Sequence, residues 1–249
     1  VKTKRKTVVS NRRRASFNSL FLVLACIVGI YLVADHWFVS SKNIEIVIEG
    51  NRCIAEKEII ELASIPDTAT IANINSMAVQ GTILNHPYIR DVVVTKDPVG
   101  LLNVKITERT PYITVLSGRG QWILDRDGVV LPSEMTKGVA DHLYITGVAV
   151  KDEDLVPGEM AASPRILNSL TLARTIEEYD PQLLKRISEL DVRRRRDIVL
   201  YMIDGSAPVL VGSAQVDNSR MKALSAIAHN EMRVQPADVE YYDIRFENQ

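Results

Sequence analysis

The chain has 249 residues, 46% of them hydrophobic and 24% charged, which is enough for one or two domains with real cores and too apolar for a disordered polymer. The net charge of −1 hides an asymmetry: seven of the 30 basic residues and none of the 31 acidic ones fall in the first sixteen positions, so the remainder carries 23 against 31, or −8. An acidic remainder argues against a nucleic-acid partner, and attraction to membrane lipid is enough to explain the basic tail.

That tail holds Lys2, Lys4, Arg5, Lys6, Arg12, Arg13 and Arg14, and residues 15–34 after it carry no charge, with 20–34 wholly apolar or Gly. Twenty helical residues at about 1.5 Å each reach roughly 30 Å, the thickness of a bilayer's hydrocarbon core. Trp37 and Phe38 follow at the level of an aromatic belt. The pattern predicts a cytoplasmic basic tail over 1–16 and a transmembrane helix over 17–39. By the positive-inside rule, the rest lies outside the cytoplasm. A buried core helix would not normally follow seven uncompensated cations. A cleaved signal peptide would have a shorter apolar part and a small-x-small site, which Val33, Ala34, Asp35, His36 and Trp37 do not form. Cys26 lies inside the apolar span and Cys53 beyond it, so no intrachain disulfide is expected.

In the exported part, Ile44, Ile46 and Ile48 alternate with Glu45 and Glu49 as in a half-buried strand, and Gly50-Asn51 closes it. A helix is predicted over 55–63, with Ile59, Ile60, Leu62 and Ala63 on its apolar face. A second, over 75–84, presents Met77, Gly81 and Leu84 and stops at His86-Pro87. Strands over 89–96 and 101–108 follow around an Asp97-Pro98-Val99-Gly100 turn, and the face of Leu102, Val104 and Ile106 is expected to pack on Ile59, Ile60 and Met77.

Strand, helix, helix, strand, strand directly after a membrane anchor resembles a POTRA domain, a module that docks polypeptides. Ile46-Val47-Ile48-Glu49-Gly50-Asn51, His86-Pro87-Tyr88-Ile89 and Glu108-Arg109-Thr110-Pro111 resemble the version found in the FtsQ/DivIB cell-division family. The family's usual W-P before the hairpin turn is Asp97-Pro98 here.

After Pro111 short strands are expected over 112–116, 121–124 and 129–131, with Asp127-Gly128 as a hairpin turn. Ser163-Pro164 opens a helix to Tyr179 with Ile166, Leu170, Ala173 and Ile176 inward. Strands over 187–192, 198–202 and 209–211, a helix over 216–232 and a last strand over 239–246 complete the pattern. Three phrases again resemble the family: Trp122-Ile123-Leu124-Asp125-Arg126-Asp127-Gly128, Leu143-Tyr144-Ile145-Thr146-Gly147 and Asp243-Ile244-Arg245-Phe246. The expected class is α+β: an N-terminal transmembrane helix, a small α/β POTRA domain over 43–109, and a β-rich domain over 110–249 with a mixed or antiparallel sheet and two helices.

Candidates for chemistry are sparse. His36, His86, His142 and His229 are too scattered for ligand spacing, and Asp125, Asp127 and Gly128 lack the acidic array of a calcium loop, whose twelfth position would be Thr136. Ser117, Ser133 and Ser188 sit in no nucleophile elbow. Glu177-Glu178 is expected to be solvated charge on a helix face, and Arg193–196 an exposed hairpin end screened by Asp191 and Asp197. The run's alternative role is a docking patch for an acidic partner or an anionic cell-wall polymer.

The resemblance implies a non-enzymatic, single-pass inner-membrane scaffold of septum formation, with no cofactor. Its partners would be FtsB-like and FtsL-like division proteins and, through them, the septal peptidoglycan synthase FtsW with FtsI. The competing readings are a membrane-anchored cell-wall enzyme, which would need a polar pocket with convergent titratable groups, and another POTRA-type docking protein. The last strand is the expected docking edge, with Tyr242, Ile244, Arg245 and Phe246 as its partner-binding residues. Tyr242, Ile244 and Phe246 share one face and Tyr241, Asp243 and Arg245 the other, and the resemblance places Arg245 and Phe246 at contact positions.

Overall fold

The computed structural model describes residues 12–40, 44–97, 100–118, 120–136, 143–194, 197–229 and 239–246, with side chains described except at 12–19, 35–40, 135–136 and 152. The basic residues up to Lys6, the side chains of Trp37 and Phe38, the Pro98-Val99 turn, Arg195-Arg196 and residues 230–232 of the expected second-domain helix therefore lie outside this description.

Helix α1 (Arg12–Ser40) contains the whole apolar stretch, and every described side chain on it is exposed, Phe21 at 75% and Ile30 at 69%. Among the described residues no helix is long and apolar enough to cross a membrane.

The first domain contains β1 (Glu45–Glu49), α2 (Glu56–Ala63), α3 (Ser76–Leu84), β2 (Ile89–Lys96) and β3 (Leu101–Glu108), in the expected order. Its sheet runs β1-β3-β2, with β1 parallel and β2 antiparallel to the central β3. Gly50 has φ +89, and a Cβ there would lie 2.1 Å from the carbonyl oxygen of Ile106, so the turn after β1 requires glycine. The loop beyond it is tied to the end of β3, where the Glu108 carboxylate accepts the backbone N–H groups of Arg52, Cys53 and Ile54. Burial alone would raise the Glu108 carboxyl. The backbone hydrogen bonds outweigh it and hold the group below its ordinary value.

Leu102, Val104 and Ile106 are buried as expected, but their helix partners are Ile59, Ala63, Val79 and Ile83. Ile60 is 43% and Met77 81% exposed. The Asn75 side chain caps α3 by accepting the N–H groups of Met77 and Ala78. Val79 and Ile83 lie one turn apart on the sheet side, Gly81 is about 200° round from both, and Met77 is about 200° from Val79 and about 240° from Ile83.

The second domain comprises β4 (Pro111–Ser117), β5 (Gly120–Asp125), β6 (Leu143–Thr146), α4 (Pro164–Tyr179), α5 (Pro181–Leu184), β7 (Ile187–Asp191), β8 (Ile198–Met202), β9 (Val209–Gly212), α6 (Asn218–Ala228) and β10 (Tyr242–Asp243). The sheet is mixed, in the order β10-β9-β8-β7-β6-β4-β5, with parallel pairs β4–β6, β6–β7 and β9–β10. Ile166, Leu170, Ala173 and Ile176 of α4 are buried as expected. Three features depart from expectation. Leu143–Thr146 is a central strand, α5 is an additional short helix, and residues 129–131 form isolated bridges, Leu124 with Val130 and Val129 with Met160, in place of a full strand.

The two domains share material at their joint. Ile123 and Leu131 are buried in the first domain's core. Arg109 at the end of β3 meets the Asp125 carboxylate at 2.6 Å, and Arg90 of β2 meets Asp127 at 3.0 Å. Asp125, 3% exposed, also accepts the N–H groups of Asp127 and Val129, so Asp125-Arg126-Asp127-Gly128 is a turn braced against the neighbouring domain.

Candidate functional site

Strand β10 ends the large sheet, in parallel register with β9 through Tyr242 opposite Val209 and Asp243 opposite Leu210. The Tyr242 N–H donates to the Pro208 carbonyl at 2.9 Å and the Ile244 N–H to the Leu210 carbonyl at 3.0 Å. In a parallel pair the residue between such donors turns its own N–H and C=O to the other side, which places those of Asp243 on the open edge. The regular strand is only two residues long, where eight were expected, because the backbone bends at Arg245 and Phe246.

That bend redistributes the four expected docking residues. Ile244 is 7% exposed and belongs to the domain's core, so its side chain is not available at the surface. Tyr242 is half-buried against the same core. Phe246 is 58% exposed and the neighbouring Tyr241 52% exposed.

Arg245 is held in place. Its backbone N–H and Nε both donate to Asp243 Oδ1, its Nη2 donates to Asp243 Oδ2 at 2.7 Å and its Nη1 to Asp197 Oδ2 at 3.0 Å. Its guanidinium lies 5.4 Å from the centre of the Phe246 ring, within cation–π range. Hydrogen bonding from Arg245 draws the Asp243 carboxyl below its usual range, and the bond to Asp243 raises the guanidinium in turn. Gly212, at φ +83, leaves room for this side chain: a Cβ there would approach Arg245 Cγ to 3.1 Å.

Asp197 pairs with Arg245, a partner 48 residues away, while Arg195 and Arg196 of the run lie outside the described residues. Asp191 does meet the run, accepting the Arg193 N–H at 2.7 Å with the Arg193 guanidinium 3.7 Å off. Arg194 lines a cleft of about 270 Å³ with Arg165, Asn168, Asp197 and Gly212, on the flank of the Arg245 side chain. The sequence signal for this cleft was the arginine run alone. Asp197 was marked only as a screen of that run, and nothing local marked Arg165.

Of the remaining candidates for chemistry, His142 and the His36 side chain lie outside the described residues. His86 accepts the Tyr88 N–H and stands 3.4 Å from Glu58, and His229 caps α6. Glu177 is not merely solvated: it accepts the Tyr112 hydroxyl at 3.0 Å and pairs with Arg126 at 3.2 Å. Burial, then the bond to Glu177, raises the Tyr112 phenol. Among the described residues no group of three or more His, Cys, Asp or Glu side chains is placed to hold a metal ion.

Comparison with known proteins agrees with this architecture. Residues 42–109 match the family model for the POTRA domain, FtsQ-type, and residues 114–245 that for the cell division protein FtsQ/DivIB, C-terminal. The cell division protein FtsQ of Corynebacterium glutamicum is 21% identical over 218 residues, covering 84% of this chain and 91% of that protein. DivIB of Bacillus subtilis is 25% identical over 219 residues, covering 88% and 76%, and FtsQ of Rhodothermus marinus 25% over 224 residues, covering 87% and 79%. With a POTRA domain braced against a seven-stranded sheet and both regions matched in order, the chain belongs to the FtsQ/DivIB family of cell-division proteins.

Proposed function

We propose that this chain acts by binding and not by catalysis, as a single-pass inner-membrane scaffold of the division machinery. Its β10 edge would receive an FtsB-like partner, with an FtsL-like protein in the same complex and the septal synthase FtsW with FtsI reached through them. The uncharged stretch in α1 is the anchor, the basic tail lies on the cytoplasmic side, and the two folded domains lie outside. The observation that carries the docking role is the open edge at Asp243, with an exposed aromatic on either side and a guanidinium already fixed beside it. A two-residue strand offers few backbone groups, so side chains must supply much of the affinity. Phe246 and Arg245, together with Tyr241, are the contact residues in this reading, while Tyr242 and Ile244 hold the edge in register. The neighbouring cleft, with Arg165 and Arg194 on its walls, suits an acidic side chain of the partner.

The test uses the full chain in lipid nanodiscs and a purified FtsB-like partner. Truncating an exposed aromatic anchor, Phe246→Ala, should weaken binding by at least about tenfold, the effect of an interface hot spot, and deleting residues 246–249 should weaken it further. If both variants keep the parental thermal unfolding and the parental affinity, the docking site lies elsewhere on the protein.

A further inference from the structure

The face of the large sheet turned away from the helices carries a row that the docking edge does not use. Ile145, Leu190 and Leu200 pair across β6, β7 and β8, and all three are buried in the helix-covered core. Side chains alternate along a strand, so the preceding or following residues Tyr144, Glu189 and Tyr201 project from the opposite face. They too are in register, Tyr144 beside Glu189 and Glu189 beside Tyr201, which sets a carboxylate between two phenol rings. Both tyrosines are 37% exposed, and among the described residues neither hydroxyl has a hydrogen-bond partner. The Thr146 hydroxyl donates to Glu189 and fixes its orientation, yet among the described residues no Lys, Arg or His faces this carboxylate.

At the Tyr144 end the row opens into a cleft of about 720 Å³ lined by Leu143, Leu184, Ile187 and Ile203, the last 67% exposed, with Lys185 also on its lining. A carboxylate without a cation, flanked by two π-systems and continuous with an apolar cleft, is complementary to a side chain that is both charged and long-stemmed. One carboxylate with a single hydroxyl beside it is too poor a donor set for a calcium or magnesium ion.

We propose that the Tyr144–Glu189–Tyr201 row is a second docking surface, for a polypeptide segment that presents an arginine or lysine next to an apolar residue. The cation sits over Glu189 between the rings, and its apolar neighbour enters the cleft beside Tyr144. The surface is separate from β10, so it does not depend on the reading of that edge.

The test uses the full chain in nanodiscs with ring-labelled tyrosine, titrated with acetyl-Leu-Arg-Leu-amide and followed by NMR. The neutral analogue in which citrulline replaces arginine serves as the control. The arginine peptide should give saturable shifts at Tyr144 and Tyr201, assigned by Tyr→Phe replacement. Affinity should fall at least about tenfold for the citrulline peptide, which loses the charge and cation–π contributions together, and for Glu189→Gln, which removes the carboxylate that pairs with the cation. Glu189→Gln can still accept the Thr146 hydroxyl, and thermal unfolding checks that it stays folded. Phe246→Ala should leave the titration unchanged. Equal affinity for the two peptides, parental affinity in Glu189→Gln, no saturable shift at the two tyrosines, or the same shifts produced by calcium chloride would each overturn the proposal.

Discussion

The edges of the two sheets are treated differently. In the small sheet the β2 edge is guarded by side chains: Asp91 accepts the Val92 N–H at 2.9 Å, and the Gln80 amide from α3 donates to the Val92 carbonyl. In the large sheet β5 is guarded by returning backbone, with the Leu131 N–H on the Ile123 carbonyl at 2.8 Å and the Asp125 N–H on the Val129 carbonyl at 3.0 Å. Strand β10 has no such cover at Asp243 among the described residues. Unpaired strand edges invite other chains, and proteins usually blunt them. Two of the four sheet edges are thus closed by dedicated contacts, while among the described residues no such contact covers β1 or β10 at Asp243.

The contrast holds only if the small sheet is packed as described, and the largest expected effect tests that. Ile83→Ala should cost about 2–5 kcal/mol by leaving a cavity under the sheet, whereas Met77→Ala on the outer face should stay within about 0.5 kcal/mol. Denaturant unfolding of the two variants checks it, and the opposite ranking would put α3 in the wrong rotation. Next in size is the brace behind the guarded β5 edge. Arg109→Ala leaves the buried Asp125 without its cation, and since two backbone donors remain, the loss should be about 2–3 kcal/mol. Calorimetry should show both domains losing stability together, because Ile123 and Leu131 belong to the first domain's core. Two transitions, only one of them displaced, would mean that the joint is loose.

The smallest effect concerns the tie between the loop after β1 and the end of β3. Glu108 has a folded-state pKa below its unfolded value, so its contribution is fully present above about pH 4.3 and lost as the pH falls through the folded value. Glu108→Gln should therefore lower stability at pH 7 by about 1 kcal/mol, the modest figure reflecting solvent screening of exposed bonds. The difference from the parent should vanish near pH 3. A constant difference across that range would show that the carboxylate charge plays no part.

Sequence periodicity located elements better than it oriented them. The bounds of β2, β3, α4 and β8 follow from alternation and from Ser163-Pro164, all local signals. The rotation of α3 was not legible from apolar spacing, because Met77, Ala78, Val79, Ile83 and Leu84 together leave no clear stripe. Packing on the sheet, which buries Val79 and Ile83, settles it. Strand β6 has four residues and α5 four, too few for either period to register. At the candidate site the sequence pointed to the last strand and to Phe246. It also suggested a long alternating strand with Ile244 among its docking residues. The bond from Arg245 to Asp197, which sets the shape of the edge, joins residues 48 apart and has no local signature.

The apolar helix α1 has one further consequence if it is the anchor. From Leu20 to Ala34 it is greasy on all sides, with no polar stripe to favour one rotation about its axis. Lipid would fix the height of the folded domains above the bilayer and leave their compass heading free. The direction in which β10 points around the membrane normal would then be set by whatever first grips the protein from outside.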